Sequence, residues 1–161
     1  MIAERSVGLR RVPEAVDRYG RVLAFGELAG AGAPSLAHVM LARGFARVAA
    51  QVGDLACAAE LWRQERIARE AKLGLWSEAY YAVRGADDSD GLADDLGHFV
   101  VVEGRVASVR ESGGTLYVNF GRQWSRALTV TISRRNDRIL AAAGLEPRQL
   151  EGRRVRVRGF L

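Results

Sequence analysis

Read for its apolar and polar positions, the chain separates into a mixed first half and a strand-rich last third. An apolar stretch near VGLRRV predicts a strand, and after a turn RVLAF predicts a second. Pro34 and Ser35 then open a helix, SLAHVMLAR, in which Leu36, Val39, Met40 and Arg43 recur at helical spacing and which Gly44 stops. FARVAAQV reads as a strand. Asp54 suits the N-cap of a long helix, LACAAELWRQERIAREAK, with Leu61, Ala68, Ala71 and Leu75 on one face and Lys72 in its last turn. Gly74 ends that helix, and Trp76 follows as an anchor. Further on, HFVVVEGRVASV predicts a strand, ESGG a hairpin turn, and TLYVNFG and RALTVTI two more strands. RRNDRILAAAG predicts a short helix. In the closing GRRVRVRGFL, Val155 and Val157 point one way and Arg154, Arg156 and Arg158 the other. No internal repeat is visible. These elements make an α+β chain.

Between the two parts lies RGADDSDGLADDLG, residues 84–97, with five aspartates between glycines. Its spacing lacks the regular alternation and terminal glutamate of a calcium loop, so an acidic linker is expected there. The expected organisation is then 1–83, linker 84–97, and 98–161. Charge follows the same division. The whole chain carries +5, made of +2 in residues 1–83, −4 in 84–97 and +7 in 98–161. The last third is the basic part, and a polyanion is its natural partner.

At 161 residues, with 48% hydrophobic content, the chain suits one ordinary domain or two small ones. No apolar run is long enough to span a membrane. The opening MIAERSVGLRR lacks the uninterrupted apolar stretch of a signal peptide, so no export signal is expected. Cys57 is the sole cysteine, which excludes an intramolecular disulfide and a cysteine-based zinc site.

Few residues suggest chemistry. Val22, Leu23, Ala24 and Phe25 suit a buried strand, which puts the preceding DRYGR at its mouth and holds Arg21 at the rim of a core. An arginine there suits a phosphate gripped through two parallel hydrogen bonds, and equally a plain solvated guanidinium. Arg154, Arg156 and Arg158 form either a ladder that a single strand's backbone could track or a solvated face that protects an edge. Arg122 and Arg126 flank Trp124 on a predicted loop, where the ring is either a packing anchor or a nucleic-acid contact. Trp62 and Trp76 read as packing anchors. His38 and His98 lack a second metal ligand at helix spacing and read as surface or capping residues, and Cys57 reads as core filling.

Taken in order, DRYGRVLAF, LARGFARV and ELWRQERIAREAKLGLWSE resemble the second half of the staphylococcal nuclease (thermonuclease) family. The segments GHFVVVEGRVASV, LYVNFGRQWSRALTVTI and GRRVRVRGFL resemble the accessory domain that follows the nuclease domain in some bacterial members. The resemblance implies a partial oligonucleotide-binding-type β-barrel with helices in residues 1–83. The strand order of 98–161 is similar to a second small barrel of that type, one that would need a further strand after GFL. It further implies hydrolysis of phosphodiester bonds in DNA or RNA, typically with calcium, and makes single-stranded nucleic acid the expected partner. By the DRYGR motif, Arg21 is the arginine that binds the phosphate and stabilises its developing charge, with Arg18 and Tyr19 lining the same mouth.

The family's second catalytic arginine, its water-activating carboxylate and its calcium aspartates lie upstream of that motif, on strands not seen here. No metal ligand is identified, and the chain is expected to be incomplete or inactive alone. Pro13 and Glu14 are similar to a Pro-Glu pair near the family's general base but are expected on the turn before DRYGR, a different element. The strand FARVAAQV carries Ala50 and Val52 where the best-known member has stacking tyrosines. The alternative implied is a non-catalytic nucleic-acid-binding module attached to a degenerate nuclease remnant.

Overall fold

Ten residues, Val7–Val16, form β1, which pairs antiparallel with β2, Val22–Leu28, from Val7 opposite Leu28 to Arg11 opposite Ala24. The register then shifts before Val16 meets Val22. Pro13 lies inside the shift, and a residue with no N–H cannot continue a ladder. Pro13 and Glu14 are therefore strand residues, where a turn is expected from the sequence. The computed structural model describes residues 6–17, 19–30, 32–48, 55–121 and 126–161. It is an α+β structure divided into two units, Met1–Tyr80 and Tyr81–Leu161.

In the first unit, β1 and β2 stand as a two-stranded sheet, so no barrel closes among the described residues. This corrects the expectation of a buried strand at Val22–Phe25. All four residues are exposed, Phe25 to 47%, on a sheet that has only two strands among the described residues. Helix α1, Leu36–Ala42, starts at Ser35, whose hydroxyl accepts the His38 N–H at 3.3 Å. It ends at Gly44 in the left-handed region (φ 72°), with the Phe45 N–H reaching back to the Met40 carbonyl at 2.8 Å.

The predicted strand FARVAAQV is absent over 45–48, and Ala50 and Val52 lie outside the described residues, as does Asp54. The Val48 N–H is instead donated to Glu65 on α2, Leu55–Glu70, at 2.6 Å. Ala58, Glu65 and Ala68 are fully buried on α2, with Leu61 half-buried, while Ala71 is exposed. The buried face is thus shifted from the predicted one and has a carboxylate at its centre. Two expected packing residues face outward: Trp62 is 42% exposed, and Cys57, next to buried Ala58, is also exposed. Trp76 is buried as expected, in a 3₁₀ turn, Gly74–Ser77, with the Arg69 guanidinium 5.5 Å from its ring centre. Gly44 and Gly74 touch backbone to backbone, and the Leu75 N–H reaches the Gly44 carbonyl at 2.8 Å.

The second unit holds β3 (Arg84–Gly85), α3 (Ser89–Asp94), β4 (Phe99–Arg105), β5 (Ser108–Ser112) and β6 (Thr115–Asn119). It continues with β7 (Thr129–Ser133), α4 (Asp137–Ala142) and β8 (Arg154–Phe160). One sheet runs β3-β4-β8 and another β5-β6-β7. The single strand predicted over 98–109 is two strands. At its bend, the Val106 N–H goes to the Arg153 carbonyl (2.9 Å) and the Ala107 N–H to the Asn119 carbonyl (2.7 Å), so the chain passes from one sheet to the other. Gly113 and Gly114, both at positive φ, make the tight β5–β6 turn that ESGG predicts. Val100, Val102, Val106, Val118 and Phe120 form the core, with Val130, Ile132, Val155 and Val157 packed on it.

Residues 84–97, expected as a linker, are built into this unit. Ala86 and Leu92 belong to its core, and β3 pairs in parallel with β4. The acidic residues serve local structure: Asp88 caps α3 through the Gly91 N–H at 3.1 Å, and Asp95, buried, accepts from Arg84 at 2.6 Å.

Candidate nucleic-acid interface

The β1–β2 connection is built around Asp17. Its Oδ1 accepts the N–H groups of Tyr19 (2.9 Å) and Arg21 (3.0 Å), a side-chain mimic of a turn. Its backbone closes the same loop, with N–H to the Arg21 carbonyl and C=O from the Gly20 N–H, each at 3.0 Å, and Gly20 supplies the positive φ of 76°. Asp17 Oδ2 then accepts Arg21 Nε at 2.6 Å. The Arg21 guanidinium lies 5.2 Å from the centre of the Tyr19 ring. The hydrogen bond from the Arg21 N–H, followed by its side-chain bond, holds the Asp17 carboxyl below the usual carboxylate range.

Arg21 is therefore aimed, although its side chain is 74% exposed. It sits at the tip of a hairpin, which corrects the expected rim of a core. Its Nε is held by Asp17, while the two terminal nitrogens find no partner among the described residues. Those two nitrogens are the pair that grips a phosphate in parallel. Tyr19 is beside it as expected, and Arg18 lies outside the described residues. Asp17 is the member of the site that the sequence reading missed. Its signal was the Asp-x-x-Gly spacing of a turn.

The arginine ladder on β8 has a counter-ion. Arg154 Nε donates to Glu103 Oε1 at 2.6 Å, and Arg156 donates to the other oxygen. Glu103 stands directly opposite Arg156 on β4, which is why it can bridge both. Hydrogen bonds first from Arg154, then from Arg156, lower the Glu103 pKa. Arg158 lies opposite Val101 on the same face. Arg126 is exposed at the turn before β7, and Arg122 and Trp124 lie outside the described residues.

A second cluster lines a cavity of about 650 Å³ between α1 and α2. Ser35 Oγ is 2.6 Å from His38 Nδ1, and His38 Nε2 is 3.9 Å from Glu60 Oε1. Glu60 is held by Arg63 (2.8 and 2.9 Å) and Gln64 (2.9 Å), which bring its pKa down to about 2. The hydroxyl, imidazole and carboxylate stand in a row. Yet Ser35 Oγ is the helix cap, accepting the His38 backbone N–H, and the His38 ring at the third helical position meets that same hydroxyl. Its role is that of a capping histidine.

The described residues do not fit calcium. Among them, no three His, Cys, Asp or Glu side chains come together in a way that could hold a metal ion. Asp17, the carboxylate nearest Arg21, is taken up by two backbone N–H groups and the guanidinium. No helix among the described residues is long and apolar enough to cross a membrane.

Residues 1–78 match the family model of the staphylococcal nuclease homologues. This part of the chain, with its Asp17–Arg21 loop, is similar to that family. A comparison of the chain with curated proteins gives no match.

Proposed function

We propose that the chain is a nuclease homologue that engages the phosphodiester backbone of single-stranded DNA or RNA through Arg21, with Tyr19 and Arg18 beside it. The observation that carries this reading is the preorganisation of Arg21 by Asp17 and the Tyr19 ring within the family-matched segment. A guanidinium fixed at Nε with its far edge presented loses little freedom on binding a phosphate, and it is placed to stabilise charge on the phosphoryl oxygens. Hydrolysis also needs an activated water, and calcium supplies that chemistry typically in the family. Asp17, the carboxylate that meets Arg21, is taken up by two backbone N–H groups and the guanidinium, which supports binding further than cleavage.

The second reading is a non-catalytic module in which residues 98–161, an oligonucleotide-binding-type domain by strand order, hold nucleic acid by charge. Its net charge of +7 favours this. Titration of a labelled oligothymidylate into the chain and its Arg21→Ala and Arg21→Lys variants separates the two. Loss of a charged pair of hydrogen bonds should weaken binding by about tenfold or more in Arg21→Ala. Lysine should restore only part of it, being a point charge. Unchanged affinity in both variants would assign binding to the second unit.

A further inference from the structure

The cavity of about 650 Å³ between α1 and α2 falls in the size range of small-molecule sites, and three of its lining side chains keep polar atoms that folding leaves unused. Arg43, at the C-terminal end of α1, is exposed, and its guanidinium meets no partner among the described residues. Gln64 donates its amide nitrogen to Glu60 Oε1 at 2.9 Å, while its carbonyl oxygen accepts nothing among the described residues. His38 is engaged at Nδ1, 2.6 Å from Ser35 Oγ, but its Nε2 lies 3.9 Å from Glu60 Oε1, beyond hydrogen-bond reach. Glu60 fixes the polarity of this row. Arg63, then Gln64, bring its pKa down to about 2, so it stays ionised and favours the proton on the Nε2 that faces it. The Ser35 hydroxyl then donates to Nδ1, and Nε2–H is a half-buried donor. Arg63 answers the Glu60 charge, which leaves Arg43 as the uncompensated charge of the lining.

A ligand that satisfies all three side chains brings an anionic group, an acceptor and a donor. Inorganic phosphate serves Arg43 alone. A simple aliphatic acid also serves Arg43, but it leaves the His38 N–H and the Gln64 carbonyl without partners in a half-buried site. An amide beside a carboxylate supplies everything in one small molecule: the carboxylate for Arg43, the C=O for His38 Nε2–H and the N–H for the Gln64 oxygen. Pro34, Val39 and Ala42, which also line the cavity, offer apolar surface to the side chain of such a molecule.

We propose that the cavity between α1 and α2 binds a small N-acylated amino acid, with Arg43 taking its carboxylate and His38 and Gln64 its amide. The test follows the NMR shifts of the full chain as N-acetylleucine is added. Three controls separate the contributions: N-acetylleucinamide lacks the charge, isocaproate lacks the amide, and inorganic phosphate lacks both the amide and the apolar body. N-acetylleucine should bind at least about tenfold tighter than each control, since every control forfeits one charged or two neutral hydrogen bonds. The shifts should fall on residues 33–43 and 60–64, which line the cavity. Arg43 is exposed, so it can be changed without disturbing the core, and Arg43→Ala should lower the affinity to that of N-acetylleucinamide. Gln64→Leu should reduce the preference for N-acetylleucine over isocaproate, because the amide loses one of its two partners. Absence of binding, equal binding of any control, unchanged affinity in Arg43→Ala, or shifts centred on the Asp17–Arg21 loop would overturn the proposal. A hexapeptide ending in leucine that binds about tenfold tighter than N-acetylleucine would also overturn it, by assigning the cavity to a polypeptide terminus.

Discussion

Asp17 does at one residue what a larger protein does with a packed pocket: it fixes where an arginine points. Two backbone N–H groups and one guanidinium nitrogen converge on its carboxylate, within five residues of chain. Asp17→Ala should therefore loosen the loop and lower nucleic-acid affinity almost as far as Arg21→Ala does, while Asp17→Asn, which still accepts from the backbone, should lie between Asp17→Ala and the unaltered chain. Binding isotherms of the three variants check this. Glu60 is a second residue with a measurable consequence. Its pKa is brought from 4.5 to about 2 by hydrogen bonds from Arg63, then Gln64. A lowered carboxylate pKa contributes stability that is present above the unfolded value and lost as pH falls through the folded one. Thermal melts between pH 4.5 and 2 should show this loss, and Glu60→Gln should flatten that part of the profile.

At the scale of elements, α2 is the test of what a helix face can hide. Glu65 sits wholly buried between Ala58 and Ala68, bound to the Val48 N–H and to Arg69. Replacing it with Ala should cost about 3–5 kcal/mol, because it removes a wholly buried carboxylate from its contacts with an amide and a half-buried guanidinium, whereas Gln should retain part of the amide bond. Denaturant titration gives both values. The helix itself was legible in the sequence from its apolar spacing, as were the β1–β2 hairpin, the ESGG turn and the Ser35 and Gly44 ends of α1. Glu65 was not legible, since a charged residue amid alanines reads as solvated until the chain that folds over it is known. The expected strand at 45–48 failed for the same reason: Val48 spends its N–H on that carboxylate, and Gly44 is needed to touch Gly74. Residues 84–97 misled by composition. Their aspartates cap and pair within a folded segment, as Asp88 and Asp95 show, while Ala86 and Leu92 supply the core contact.

For the whole molecule, the placement of charge matters more than its sum. The basic last third is less available than its formal +7 suggests, because Glu103 takes up both Arg154 and Arg156. Glu103→Gln should release them, raising affinity for single-stranded DNA and steepening its salt dependence by about 0.7 in log–log slope for each phosphate newly engaged. Replacing Arg154, Arg156 and Arg158 together with Ala should change the slope less than three free arginines would. The division of labour in the proposed reading has a loop offered to phosphate in the family-matched unit and a partly neutralised basic face in the other.

The most direct test of that account follows a fluorescent single-stranded DNA with the purified chain and its Arg21→Ala variant, with calcium and with chelator, scoring binding and cleavage in the same samples. Binding that weakens in the variant, with no calcium-dependent cleavage by either protein, is the predicted result. Calcium-dependent cleavage by the chain that disappears in Arg21→Ala would contradict it, and would mean that a complete hydrolytic site assembles around this loop.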